Sequence, residues 1–497
     1  MQPHGFNRRD FLKTLGAGVG AALVLPSLTA CAGTLGASGA RGAADEASLT
    51  GWDRVPGILA RIRPPVFPRR DFPITRFGAV ADGTTDATAA FRAAIDACSS
   101  AGGGRVVVPA GRYLTGPIHL RSNVDLHVEK DATVLFSRDP KAYLPAVLTR
   151  FEGTELMNYS PFIYAYGQTN VAITGQGTLD GQADREHWWS WKGSAEFGWR
   201  EGMPNYKASR VRLLAAAENG VPVEQRTFGE GDYLRPQMIQ PYRCANVLIE
   251  GVTIRNSPMW EIHPVLCTNV TVRGVTIDSL GPNNDGVDPE SCRDVLIEDV
   301  TFNTGDDCIA IKSGRNADGR RLNVPSENIV VRNCRMADGH GGVSIGSEIS
   351  GGVRNVFVER CRMDSPNLER VTRLKTNAVR GGTLEHIYLR DITVGQVAHD
   401  VLAIDFFYEE ADKGTFMPTV RDVELRNVTA EKSEHALYLR GFPQAQISGV
   451  RLIDCDFRNV AKPNVVENAP GVELRNVRIN GTVVTSLTPR PATAGAR

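Results

Sequence analysis

The chain has 497 residues, and its 56 lysines and arginines balance 56 aspartates and glutamates. That balance gives no global field toward nucleic acid or an anionic membrane surface. The 50 glycines favour many turns and short strands over long helices.

In chain order, NRRDFLK followed by LGAGVGAALVLPSL reads as a secretion signal, with Arg8, Arg9, Phe11 and Leu12 pointing to the twin-arginine route. The apolar run is short for a spanning helix and is broken by Pro26. Leu28-Thr29-Ala30-Cys31 resembles a lipobox, which makes Cys31 the lipidated first residue; plain cleavage after Ala32 is the alternative. Both readings export the protein, to the periplasm or to a lipid anchor on the envelope. Residues 1–31 are then the signal, and 32–70 a linker with an extended lead-in rich in proline.

The body spans residues 71–483, and residues 484–497 read as a disordered tail. One helix is expected at residues 87–97, from apolar residues at helical spacing, stopped by Gly102–Gly104. After it the chain repeats itself: NVLIEGVTIRNS, NVTVRGVTIDSL, DVLIEDVTFNTG, NIVVRNCRMADG and NVFVERCRMDSP share one pattern. The units start at Asn246, Asn269, Asp294, Asn328, Asn355, His386 and Asp422, at intervals of 23 to 36 residues. A drifting period of strand-rich units marks an all-β, single-stranded, right-handed parallel β-helix, with the helix capping its open end.

Cys244, Cys267 and Cys292 share one phase of the repeat, and Cys334 and Cys361 another. The chain has nine cysteines, but same-phase residues stack, so these five read as core thiols rather than disulfides. Residues 184–236 interrupt the rhythm and hold Trp188, Trp189, Trp191 and Trp199. An insertion that long reads as functional.

Asp285 and Asp288 in GPNNDGVDPES precede the Asp306-Asp307 pair of TGDDCIAIKSG, with Asp285 lying 21 residues before Asp306, about one coil. Coils lie about 4.8 Å apart, so these carboxylates crowd one patch. His340 in GHGGVSIGS follows one coil on, and Arg373 and Lys375 in VTRLKTN one further, alternating on one face. A row of like charges is destabilising unless chemistry requires it, and crowding drives carboxyl pKa values apart. An acid beside ionised bases suits glycosidic cleavage, and the cations point to an anionic sugar.

NNDGVD, GDDCIAIKSG, GHGGVSIGS and RLK, in this order, resemble the motifs of the polygalacturonase family of glycoside hydrolases, family 28, over Phe72 to Thr482. The resemblance implies a pectin lyase-like β-helix that hydrolyses pectic galacturonans with inversion and needs no metal or cofactor. It implies Asp306 as general acid, Asp285 and Asp307 as activators of water, and His340 as the residue that sets the acid's ionisation. Arg373, Lys375, Tyr408 and Lys312 would bind the uronate. Gly305, where fungal endo-acting members carry Gln, would leave room in the cleft and turn the aspartate pair outward.

The insertion would wall one end of the groove, as in bacterial exo-acting members. Trp188 and Trp189 would stack on sugar rings, and Arg185, Lys192 and Arg200 would meet a terminal carboxylate. The expected partner is pectic polysaccharide or an oligogalacturonide, and oligomeric state stays open. Rhamnogalacturonan and xylogalacturonan are alternative substrates. Two rival readings differ in kind: a calcium-dependent pectate lyase with Arg373 as base, and a non-catalytic polysaccharide-binding β-helix.

Overall fold

Each coil opens at a backbone position that most residues avoid. Asn246, Asn269, Asp294, Asn328, Asn355, His386 and Asp422 hold φ at 57–58°. Short polar side chains tolerate this left-handed conformation, which is why the repeat starts on Asn or Asp. The corner amides also link the coils: Asn246 Nδ2 donates to Asn170 Oδ1 at 2.8 Å, and Asn269 Nδ2 to Asn246 Oδ1 at 2.7 Å. The structure is a computed structural model that describes residues 51–488. The expected export signal, Cys31 and residues 489–497 lie outside the described residues.

From each corner a strand runs in register beneath the next, all parallel. Val247, Val270, Val295, Ile329, Val356, Ile387, Val423 and Val450 form one ladder and are buried along its length. Full burial of such a side chain stabilises by roughly 1.5–3 kcal/mol. A second ladder stacks Ile254, Ile277, Phe302, Met336 and Met363. A third face carries Ile309–Ile311, Val343–Ile345, Thr372–Lys375, Asp400–Asp405, His435–Arg440 and Val465–Glu467. The chain is a right-handed parallel β-helix. The cysteines among the described residues are buried and free, and the backbone N–H of Cys244 donates to Cys267 Sγ at 3.4 Å.

The capping helix spans Thr88–Ser100 and buries Ala90, Phe91, Ala94, Ile95 and Cys98 over the first coil. The lead-in departs from its expected extended form. Gly51–Arg54 and Val55–Arg61 are helical, with Pro56 in the first turn, where proline sacrifices no hydrogen bond. Val55, Ile58 and Ile62 pack on Leu296, Val330, Phe357 and Tyr388, the outward residues of successive coils. Two additions flank the third face. One is an antiparallel hairpin, Val147–Phe151 with Thr154–Asn158, which the sequence did not announce. The other is the insertion, built on short turns and the helix Lys207–Glu218.

Candidate active site

The strand Thr301–Thr304 ends just before the aspartate pair, and Ile309–Ile311 begins just after it. Both carboxylates therefore sit in a bend between two faces, which frees them from strand alternation. Gly305 is required here for a reason other than the expected one. A Cβ on it would lie 2.2 Å from the carbonyl oxygen of Gly281 on the preceding coil. The neighbouring backbone fills the space that Gly305 was expected to leave in the cleft. The backbone N–H of Asp307 donates to Asp306 Oδ1 at 3.0 Å and fixes the bend.

One oxygen from each of Asp285, Asp306 and Asp307 lies within 4.8 Å of the others. Asp307 is fully buried and accepts from Ser344 Oγ and from Lys375 Nζ, each at 2.7 Å. Asp285 is buried with Lys312 Nζ at 3.6 Å from Oδ2, and Oδ1 has no partner among the described residues. Burial, then the charges of Asp306 and Asp288, push the Asp285 carboxyl well above the carboxylate range.

Asp306 is the most open of the three, its side chain 18% exposed, with Oδ1 3.1 Å from His340 Nδ1. Burial pushes its pKa up, but the hydrogen bond and charge of His340 outweigh burial and hold Asp306 below the usual range. The same bond, against burial, lifts His340 to about 9. The proton of this pair therefore rests on the imidazole, while burial and neighbouring charge disfavour ionisation of Asp285. The lysines on Asp285 and Asp307 bring a built-in countercharge, which leaves this cluster poorly matched to a divalent cation.

Two recesses meet at Asp306. One, about 290 Å³, includes Glu152, Tyr206, Arg210, Trp260, Arg315 and Tyr408 in its walls. The other, about 460 Å³, includes Glu196, Phe197, Leu280, His340 and Glu369. Asp306, Asn283 and Lys192 line both. The recesses together match the size of small-ligand sites.

Several expected binding residues have other work. Lys375 is committed to Asp307. Lys312 is buried among Asp285, Asp288 and Glu348, the latter two at 3.5 Å, while still lining the smaller recess. Arg373 forms no ion pair among the described residues; its guanidinium lies 5.3 Å from the centre of the Tyr408 ring, outside the walls of both recesses. Trp188 is 1% exposed against Tyr143 and Phe162, and so is core. Trp189 is partly buried and spends its indole N–H on the carbonyl of Ser257 at 2.9 Å. The tryptophans pin the insertion to the body instead of lining the recesses. Arg185 and Arg200 are exposed and outside both recesses, whereas Lys192 reaches the cleft.

Sequence reasoning missed Arg210, Glu152, Arg315 and Glu348. Arg210 Nε pairs with Glu152 at 2.5 Å, and Arg315 Nη1 with Glu348 at 3.3 Å. Glu348 ends GVSIGSE one coil after Lys312 and Arg315 in IKSGR, a phase match that was available. Arg210 sits on a helix of the insertion, outside any repeat.

Residues 227–478 match the sequence model of the glycosyl hydrolases family 28. The chain belongs to this family. A family 28 chain is a glycosidase, so hydrolysis rather than elimination is the chemistry of this bend, and the lyase and binding-module readings fall away. Residues 72–128, over the capping helix and first coils, also match a model described as rhamnogalacturonase A/epimerase, pectate lyase-like. A probable polygalacturonase from Vitis vinifera is 30% identical over 78% of this chain and 74% of its own length. An exo-poly-alpha-D-galacturonosidase from Dickeya chrysanthemi is 27% identical over 83% and 74%. Among solved structures, a hyperthermoactive exopolygalacturonase from Thermotoga maritima superposes with a TM-score of 0.84 at 48% identity, covering 86% of this chain and 95% of that one.

Proposed function

We propose that this family 28 glycosidase hydrolyses α-1,4-galacturonosidic bonds of polygalacturonate or its oligomers, working from a chain end and using neither metal nor cofactor. The observation that carries this reading is the meeting of Asp285, Asp306 and Asp307 within 4.8 Å, with His340 on the most open carboxylate. The substrate follows from the cations around that cluster and from relatives named for polygalacturonate, the Thermotoga maritima exopolygalacturonase above all. The rhamnogalacturonase match lies away from the carboxylates and does not favour a rhamnogalacturonan substrate.

A galacturonate unit brings a carboxylate beside Asp306 and displaces water, and both effects raise its pKa. The proton crosses from His340 Nδ1 to Asp306 Oδ1, 3.1 Å away. Asp306 then protonates the leaving glycosidic oxygen as its bond to the anomeric carbon breaks. Water between Asp307 and the unpartnered Oδ1 of Asp285 attacks that carbon and passes its proton to Asp307. Lys375 and Ser344 hold Asp307 in position. Action at a chain end is supported by the insertion, whose Lys192, Tyr206 and Arg210 form part of the wall of one recess together with Glu152 of the hairpin.

General acid catalysis contributes about 10²–10⁴-fold. Asp306→Asn is therefore expected to remove at least about 99% of hydrolysis while the melting transition is preserved. A variant keeping more than about a tenth of the activity contradicts the role of Asp306.

The Arg8-Arg9 signal and Cys31 support export with a lipid anchor on the envelope. Cys31→Ser should then shift the protein from the membrane fraction to the soluble one. Membrane association that survives this change contradicts the anchor.

A further inference from the structure

Two cationic side chains converge on one amide oxygen beside Asp306. Lys192 Nζ donates to Asn283 Oδ1 at 2.7 Å, and Arg235 Nη2 donates to the same oxygen at 2.8 Å. The amide nitrogen of Asn283 faces the opposite way, 3.4 Å from Asp306 Oδ2.

Among the described residues neither cation has a carboxylate partner. The remaining bonds of Arg235 go to the carbonyl oxygens of Pro258 and Pro282, at 2.8 and 2.7 Å. Lys192 otherwise stands 5.5 Å from the centre of the Tyr206 ring. The other cations of this recess differ: Lys312, Lys375, Arg210 and Arg315 each ion-pair with at least one carboxylate. Arg235 is completely buried. Lys192 is half-buried; cations removed from water without countercharge are costly, and an anion arriving at Lys192 offsets that cost. Lys192 lines both recesses at their junction, where a bond lying across Asp306 must pass.

We propose that Lys192, carried by the insertion, receives the carboxylate of the uronate at the cleaved bond, while Arg235 keeps Asn283 oriented toward Asp306. The proposal rests on the galacturonan reading above and deepens it. Lys375 is spent on Asp307, so discrimination between a free acid and its ester passes to Lys192. The insertion then supplies charge recognition as well as a wall.

The test is competitive inhibition of polygalacturonate hydrolysis by galacturonate and by its methyl ester, in wild type, Lys192→Met and Lys192→Arg. Wild type should favour the acid. Lys192→Met should lose that preference by about tenfold or more, the usual weight of a charge-assisted hydrogen bond. The ester's inhibition constant should barely move, and Lys192→Arg should restore most of the preference. Equal weakening toward acid and ester, or an unchanged preference in Lys192→Met, overturns the proposal. Should the methionine variant fail to fold, Lys192→Gln keeps a donor to Asn283 without the charge and gives the same readout. A wild-type protein inactive on polygalacturonate would instead overturn the proposed function, so the two failures are distinct.

Discussion

Lys375 Nζ lies 2.7 Å from Asp307 Oδ2, two coils away along the third face. Both side chains are buried, the lysine 8% exposed and the aspartate 0%. Removing one partner of such a pair strands a charge in the interior and costs about 3–5 kcal/mol. Lys375→Met should therefore destabilise the fold by that amount in urea unfolding and reduce kcat through a displaced Asp307. A loss below about 1 kcal/mol, in the range of a surface pair, contradicts the structural role assigned to Lys375.

His340 and Asp306 make stability depend on pH in opposite directions. The folded pKa of His340 is raised to about 9 by Asp306, from an ordinary value of 6.5. Its contribution is complete below pH 6.5 and is lost as pH rises toward about 9. Asp306, lowered from 3.8, contributes above that value and loses it as pH falls further. The pair thus supports the fold most between those limits, with solvent screening weakening it because the imidazole is 49% exposed. Melting temperatures of wild type and His340→Gln should differ most near pH 5–6 and converge at alkaline pH. A gap that widens above pH 9 contradicts the pairing.

The stereochemical outcome is less obvious from distances alone. Carboxyls about 5–5.5 Å apart are the usual mark of retention, and inverting pairs stand about 6.5–9.5 Å apart. The oxygens here lie within 4.8 Å. Inversion is nevertheless expected, because Ser344 and Lys375 engage both oxygens of Asp307 and Lys312 stands beside Asp285, so neither offers a free nucleophile. Proton NMR of the first sugar released should show the β-anomer from the α-linked substrate. Initial appearance of the α-anomer would make Asp285 or Asp307 a covalent nucleophile.

The solenoid was legible because its corners impose a backbone conformation that only a few residue types tolerate, so Asn246, Asn269 and Asp294 announce each coil. Asp285, Asp306, Asp307 and His340 were legible because stacked coils turn sequence phase into spatial proximity. Partnerships that cross phases left no such mark. Lys375 reaches Asp307 instead of solvent, and Lys192 and Arg210 enter from an insertion outside the repeat. Trp188 and Trp189 looked like sugar platforms, yet a long insertion needs apolar anchors of its own, and they supply them. Gly305 was misread because the close approach of Gly281 depends on the neighbouring coil.

Time-resolved product analysis of polygalacturonate hydrolysis, with viscosity followed in parallel, tests the central claim most directly. The carboxylate bend and the insertion that walls its recess predict release of monogalacturonate or digalacturonate from the outset, with viscosity falling slowly relative to reducing sugar. A rapid early fall in viscosity with a ladder of intermediate oligomers would show cutting within the chain and contradict the walled recess as a chain-end site.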